Sequence, residues 1–166
     1  FAELRPLICY SVKSFSNLHV LKALAERGCG MDVVSGGELY RTRVAGVPAS
    51  RVLFAGVGKT EEEIREALGA RADAAAPERD AEPIGVFNIE SEGEFQAIAA
   101  IARQLGVTTR AALRVNPDVD AKTHAYTTTG KAENKFGVDF RRAREFSERF
   151  GNHPNLRLTG LHIHLG

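Results

Sequence analysis

The chain has 166 residues, of which 43% are hydrophobic and 26% are charged, and its formal net charge is +1. This length and apolar content allow one sizeable core and argue against two independent domains. The near-neutral charge, with acidic and basic residues interleaved, predicts neither nucleic acid nor a membrane surface as a partner. No apolar run approaches the roughly 20 residues of a membrane-spanning helix.

The cysteines indicate the redox compartment, and the two chain ends indicate a fragment. Cys9 and Cys29 fit free thiols in a reducing compartment better than a disulfide, although a disulfide between them stays open. The chain begins with Phe1 and stops at Gly166, directly after a strand-like run. We therefore expect a fragment of a longer, cytoplasmic protein.

Short apolar runs alternate with longer amphipathic segments along the chain. The runs are rich in Val, Ile and Leu and mostly lack alternation of apolar and polar residues, which is typical of strands buried on both faces. The predicted strands are residues 7–12, 31–34, 52–54, 84–89, 111–115 and 156–164.

Capping residues precede the amphipathic segments. Thr60 is followed by Glu63, and Ser91 by Glu94, at the spacing of a capping box, and Asn17 can cap the first helix. The predicted helices are HVLKALAERG, residues 37–45, TEEEIREAL, FQAIAAIARQLG and residues 141–150. Strands that alternate with helices predict a parallel sheet, either open and doubly wound or part of a (β/α)8 barrel.

Two segments interrupt this alternation. Residues 69–83 are rich in Ala, Pro and charge, and we interpret them as a surface insertion. Residues 116–137 form a long polar loop directly after a predicted strand. Because α/β proteins build their sites at the carboxyl ends of strands, this loop is predicted to be functional.

Three motifs leave alternatives open. FAGVGKT fails the P-loop pattern because Leu53 stands where the first glycine belongs, so a βα turn is the better interpretation. His162 and His164 alternate on a strand and could bind a metal, lie in the core or lie against a flat cofactor. Lys13 ends the first strand and is either a surface lysine or a desolvated amine suited to a covalent imine.

Six segments, taken in order, resemble one family. They are YSVKSFSN, MDVVSGGELY, FAGVGKTEEEI, FNIESEGEF, ALRVNPDVDAKTHAYTTTGKAENKFG and LTGLHIHLG. YSVKSFSN is similar to the lysine motif of the alanine-racemase-like pyridoxal 5'-phosphate (PLP) enzymes. The whole series resembles their group-IV decarboxylases, and within those the diaminopimelate decarboxylase family. The resemblance covers the chain except the predicted insertion.

The resemblance implies an α/β fold, an incomplete (β/α)8 TIM barrel with about six of eight strands, and PLP at the carboxyl ends of the strands. Lys13 matches the lysine that holds PLP covalently, and His164 matches the histidine that stacks on the cofactor ring. Further matches near the cofactor or its pocket are Asp32, Glu38, Arg114, His124 and the segment Thr128 to Gly130. From the residues alone, Arg114 could instead form a surface ion pair, and Glu38 could face solvent.

The implied reaction is PLP-dependent decarboxylation of meso-2,6-diaminopimelate to L-lysine by the full-length parent. Alternatives are a decarboxylase of ornithine, arginine or carboxynorspermidine, and a non-catalytic PLP-binding barrel protein. A metal-binding α/β domain that uses His162 and His164 is a third hypothesis. For the resembled family we predict no resident metal.

The resemblance also implies a homodimer with a shared active site. A Cys-Glu pair from the partner subunit, carried on a C-terminal β-domain beyond residue 166, completes the site in that family. We therefore expect residues 1–166 to be a partial PLP-binding barrel domain. We also expect this fragment to be inactive and poorly folded when it is expressed alone, because open sheet edges invite aggregation.

Overall fold

A computed structural model describes residues 2–70, 82–116 and 137–164. The described residues form seven strands and five α-helices. The strands are Cys9–Ser11 (β1), Gly30–Val33 (β2), Val52–Phe54 (β3), Val86–Ile89 (β4), Thr109–Asn116 (β5), Val138–Asp139 (β6) and Leu156–His162 (β7). The helices are Leu18–Glu26 (α1), Gly36–Val44 (α2), Glu61–Ala67 (α3), Glu92–Gln104 (α4) and Phe140–Phe150 (α5). Within these residues, every helix is too short or too polar to cross a membrane.

The chain divides into two compact units. The first contains residues 2–55, 59–70 and 82–87 of the described part, and the second contains residues 56–58, 88–116 and 137–164. In the first unit, strands β1 to β4 are parallel neighbours in chain order. Doubly wound sheets reverse their strand order, whereas barrels do not. The unreversed order therefore favours the barrel among the two predicted architectures.

The two faces of the first unit's sheet differ in burial. Met31, Val33 and Phe54 are fully buried on one face. The opposite face carries a row of residues that is only half-buried. Strand register aligns this row as Ser11, Asp32, Leu53 and Val86. The prediction that the strands are buried on both faces is thus wrong for this unit, because the second face of an incomplete barrel has no closed interior to pack into.

The predicted caps begin the helices, with one difference in detail. Asn17 Oδ1 accepts a hydrogen bond from the backbone N–H of His19 (3.0 Å), and Thr60 and Glu63 form a reciprocal capping box. Ser91 Oγ accepts from the backbone N–H of Glu94 (3.2 Å), as predicted. The Glu94 carboxylate accepts from the backbone N–H of the residue before Ser91, so this box is shifted by one position.

Strand β5 is the centre of the second unit. It pairs in parallel with β6 through Val115 and Asn116 and with β7 along most of its length. Strand β6 was not predicted, because two residues give no periodic pattern. A β-bulge places one extra residue, Thr159, in β7, and the Thr159 hydroxyl donates to the carbonyl oxygen of Ala111 (3.3 Å).

An aromatic cluster forms the outer core of the second unit. The ring of Phe95 on α4 lies 5.6 Å from Phe146 and 4.8 Å from Phe150, both on α5. Burial of such rings stabilises the unit by about 1.5–3 kcal/mol each. The cluster therefore packs α4 against α5.

Parts of the two predicted irregular segments lie outside the described residues, namely residues 71–81 and 117–136. The described chain on both sides of the first gap attaches to the end of α3. The backbone N–H of Ala70 donates to the carbonyl of Arg65, and that of Ile84 donates to the carbonyl of Ala67, both at 2.9 Å. His124 and the segment Thr128 to Gly130 belong to the second gap.

Candidate active site

Lys13 lies in a 3-10 turn, Val12–Ser14, directly after β1. The Ser14 hydroxyl donates to the carbonyl oxygen of Ser11 (2.7 Å) and closes the turn, while the Val12 side chain is fully buried. The turn therefore anchors the backbone and leaves the Lys13 side chain exposed. The described residues therefore do not bury the Lys13 side chain, in contrast to the desolvated amine considered from the sequence.

Asp32 lies beside β1 on the half-buried face of the first unit. Its carboxylate accepts a hydrogen bond from the hydroxyl of Ser11 (3.3 Å), its register partner on β1. Burial, and to a smaller extent the charges of Asp32 and Cys29, raise the pKa of the Cys9 thiol. Cys9 and Cys29 are free thiols, as predicted.

Glu38 is half-buried, so it does not simply face solvent as one of its two interpretations had it. Its carboxylate accepts from the backbone N–H of Val34 (2.9 Å), and its own N–H donates to the Ser35 hydroxyl (3.3 Å). Glu63 accepts from the backbone N–H of Gly36 (2.7 Å) and reinforces the same helix start. In the described structure Glu38 thus holds the first turn of α2 in place.

Arg114 forms a buried ion pair rather than the surface pair considered above. Its Nη1 lies 3.0 Å and 3.3 Å from the two carboxylate oxygens of Glu90, and the two residues are 8% and 6% exposed. Sequence reasoning missed Glu90. The available signal was a carboxylate directly after an apolar strand, where burial requires a partner of opposite charge.

His162 is the register partner of Arg114 across β5 and β7. Paired residues on adjacent strands point to the same face, so the two side chains share one face of the second unit. Without the bulge at Thr159, Leu161 would stand beside Arg114 instead. The strand ends at His162, and the half-buried His164 lies two residues beyond it.

The sites predicted from sequence are therefore divided between the units. Lys13, Asp32 and Glu38 belong to the first unit, and Arg114 and His164 belong to the second. Within the described residues, no group of three or more His, Cys, Asp or Glu side chains could hold a metal ion. The hypothesis of a metal site at His162 and His164 thus finds no complete ligand set in the described part.

A cleft of about 370 Å³ opens in the helical layer of the second unit. Its walls include Val138 of β6 and Arg142, Phe146 and Phe150 of α5. Glu90 also reaches this cleft, from its position at the end of β4. Glu90 therefore stands between the helical layer and the polar strand face that carries Arg114.

Parallel strands in chain order, with helices between them, are typical of a barrel-type α/β domain. The family model described as the pyridoxal-dependent decarboxylase, pyridoxal binding domain, matches residues 2–166. The chain belongs to this family. The predicted fold class and the PLP cofactor are thereby confirmed.

Curated relatives of this chain include two diaminopimelate decarboxylases. The chain is 47% identical over 160 residues to a diaminopimelate decarboxylase of Aquifex aeolicus and 45% identical over 166 residues to one of Neisseria meningitidis. The two alignments cover 96% and 100% of this chain, but only 35% and 38% of the two relatives. The chain thus spans little more than a third of the curated relatives that it matches.

Solved structures agree with the fold. A crystal structure of diaminopimelate decarboxylase from Helicobacter pylori, complexed with L-lysine, superposes with a TM-score of 0.85 at 40% identity over 96% of this chain and 38% of that one. An arginine decarboxylase of Paramecium bursaria Chlorella virus gives a TM-score of 0.72 at 20% identity over 96% of this chain and 38% of that one, a likeness that shows the fold alone.

Proposed function

We propose that the full-length parent of this chain is a PLP-dependent carboxy-lyase that converts meso-2,6-diaminopimelate to L-lysine. The observation that carries the proposal is the 45–47% identity to diaminopimelate decarboxylases over nearly the whole chain. L-Lysine, bound in the related Helicobacter pylori structure, is the product expected when diaminopimelate loses one carboxyl group. When bound, PLP acts as an electron sink at the carbon that loses carbon dioxide.

The donor set of the described residues fits PLP. Lys13 supplies a primary amine on a turn anchored by buried Val12, so its position is fixed while its side chain is accessible. In this proposal Lys13 holds the cofactor through a covalent bond to its amine.

The other predicted residues take supporting roles in the proposal. Arg114 and Asp32 provide opposite charges on the strand faces and fix the cofactor's polar groups by hydrogen bonds. The His164 imidazole would stack on the cofactor ring. Glu38 acts indirectly, by holding the start of α2, since its carboxylate accepts a hydrogen bond from the backbone N–H of Val34.

Rival functions remain distinguishable by substrate. Decarboxylases of ornithine, arginine or carboxynorspermidine share the fold, but the arginine enzyme in the comparison is only 20% identical to this chain. A non-catalytic PLP-binding barrel would bind the cofactor and release no carbon dioxide. The higher identity to diaminopimelate decarboxylases favours the first function over both alternatives.

The assembly and compartment belong to the same proposal. We infer a homodimer that shares its active site and works in the cytoplasm on a small amino-acid substrate. The free thiols of Cys9 and Cys29 support a reducing compartment. The domain proposal assigns residues 1–166 to a partial PLP-binding barrel, with the C-terminal β-domain outside this chain.

The test is a comparison of substrates with the full-length protein. Carbon dioxide release is measured with meso-diaminopimelate, ornithine, arginine and carboxynorspermidine, using the wild type, the Lys13→Ala variant and Lys22→Ala as an exposed-lysine control. We expect turnover of diaminopimelate by the wild type and by Lys22→Ala, and loss of turnover in Lys13→Ala. Preference for another amine substrate, or cofactor binding without turnover of any of them, contradicts the proposal.

A further inference from the structure

Glu90 is held in place by its own neighbours. It follows β4 and directly precedes Ser91, the N-cap residue of α4. The backbone N–H of Glu90 donates to the carboxylate of Glu94 (2.8 Å), while the Ser91 hydroxyl accepts from the N–H of Glu94. The main chain that carries the Glu90 carboxylate is therefore fixed by the first turn of α4.

The Glu90 carboxylate fixes Arg114 in turn. Nη1 of Arg114 contacts both carboxylate oxygens of Glu90, and the side chains of Arg114 and Glu90 are 10% and 3% exposed. A buried ion pair is weak evidence for stability, since apolar residues of similar volume often serve the fold as well. A planar guanidinium held by a carboxylate, however, has a defined orientation, which is valuable where it must meet a ligand.

Gly137 confines the same arginine from another side. A Cβ atom at Gly137 would lie 2.9 Å from both Cγ and the carbonyl oxygen of Arg114, closer than real side chains approach. The Arg114 side chain thus lies against the Gly137 backbone at its Cγ and contacts the Glu90 carboxylate at its Nη1. It lies on the strand face that it shares with its register partner His162.

We propose that Glu90 is a positioning residue for PLP: through its ion pair it orients the guanidinium of Arg114 toward the cofactor. This inference rests on the proposed function, in which Arg114 contacts PLP. Glu90 itself does not touch the cofactor. Its carboxylate sets the direction of the arginine side chain, and the shifted cap at Ser91 and Glu94 sets the position of Glu90.

The experiment uses the full-length protein and four variants: Glu90→Gln, Arg114→Gln, the double variant, and Glu92→Gln. Glu92 is the matched control, because it makes an exposed ion pair with Arg149 (2.6 Å) only two residues from Glu90. The PLP dissociation constant is measured by titration, and the absorbance spectrum is recorded at saturating PLP. Urea unfolding of the cofactor-free proteins reports stability separately.

We expect Glu90→Gln and Arg114→Gln each to weaken PLP binding by about tenfold, the loss of one charge-assisted contact. Both should also shift the absorbance of the saturated protein, which a purely structural loss of stability would not do. Glu92→Gln should change neither quantity. The double variant should bind PLP no more weakly than Arg114→Gln, because Glu90 acts only through Arg114.

The results distinguish a failure of the cofactor role of Arg114 from a failure of the positioning role of Glu90. Unchanged PLP binding and absorbance in Arg114→Gln would overturn both the cofactor role of Arg114 and the inference built on it. A changed Arg114→Gln beside an unchanged Glu90→Gln, or additive losses in the double variant, would overturn the inference alone. If Glu90→Gln does not fold, the comparison of the double variant with Arg114→Gln still decides, since the double variant lacks both charges of the pair.

Discussion

The guanidinium of Arg114 lies 3.0 Å from the carboxylate of Glu90, and both residues are buried. Removal of one charge breaks this ion pair at a buried position. We therefore expect Glu90→Gln in the full-length protein to lower the free energy of unfolding by about 3–5 kcal/mol. Replacement of both residues by apolar ones of similar volume, Glu90→Leu with Arg114→Met, should cost much less. Urea unfolding of the cofactor-free proteins checks this, and equal losses in the single and the double variants would contradict it.

Gly137 is expected to tolerate no side chain. Its φ angle is +76°, and a Cβ atom would lie 2.9 Å from Arg114. Gly137→Ala should therefore lower the free energy of unfolding by about 1–3 kcal/mol through backbone strain. It should also weaken PLP binding, because Arg114 must shift. Gly93→Ala is the control, since a Cβ atom at Gly93 in α4 meets nothing within 4 Å, and it should be neutral or slightly stabilising. Similar stability in both variants would argue against the crowding at Gly137.

Glu63 links the starts of two helices and should give a pH-dependent contribution to stability. Burial raises the pKa of Glu63, but hydrogen bonds from the backbone N–H groups of Thr60 and Gly36 outweigh burial and hold the pKa below its ordinary value of 4.5. Because the folded-state pKa is the lower one, the stabilisation is present above the unfolded pKa. It is lost as the pH falls through the folded value.

The substitution Glu63→Gln tests this contribution. We expect it to lower the free energy of unfolding at neutral pH by about 0.3–1 kcal/mol, the range for a charge at a helix start. The difference from the wild type should narrow in acid. Glu62→Gln removes an exposed charge from the same first turn and controls for the helix dipole alone. A difference that stays constant with pH, or one matched by Glu62→Gln, would show that the hydrogen bonds to Thr60 and Gly36 contribute nothing.

The fragment 1–166 is expected to aggregate when it is expressed alone. Among the described residues, β1 pairs only with β2 and β7 pairs only with β5. Ile8 and Leu161, beside and within these strands, are 71% and 58% exposed. Strands with open edges and exposed apolar side chains recruit other chains. Light scattering and urea unfolding followed by circular dichroism check this expectation, and a monomer with one cooperative transition would contradict it.

The sequence predicted the local structure well because local structure has local causes. Asn17, Thr60 and Ser91 cap helices as expected, and the parallel pairing of the strands agrees with the alternation of strands and helices. The fold class and the cofactor also followed from the series of motifs. Strand β6 escaped prediction because its two residues acquire strand geometry only by pairing with Val115 and Asn116 of β5.

The partners within the candidate site could not be predicted in the same way. The pairing of Arg114 with Glu90 joins residues that lie 24 positions apart. The match of Arg114 with His162 depends on a bulge at Thr159 that no periodic pattern reveals. The exposure of Lys13 likewise depends on which strands surround it, and not on the residues beside it in the chain.

The central claim is that Lys13 holds the cofactor, and borohydride trapping tests it most directly. Reduction of the PLP-loaded full-length protein fixes the cofactor permanently on the lysine that binds it, and peptide mass mapping then locates that residue. The account predicts the added mass on the peptide that contains Lys13, and on no other peptide. The reduced cofactor on a different lysine, such as Lys59, whose amine lies over the Phe54 ring, would contradict it.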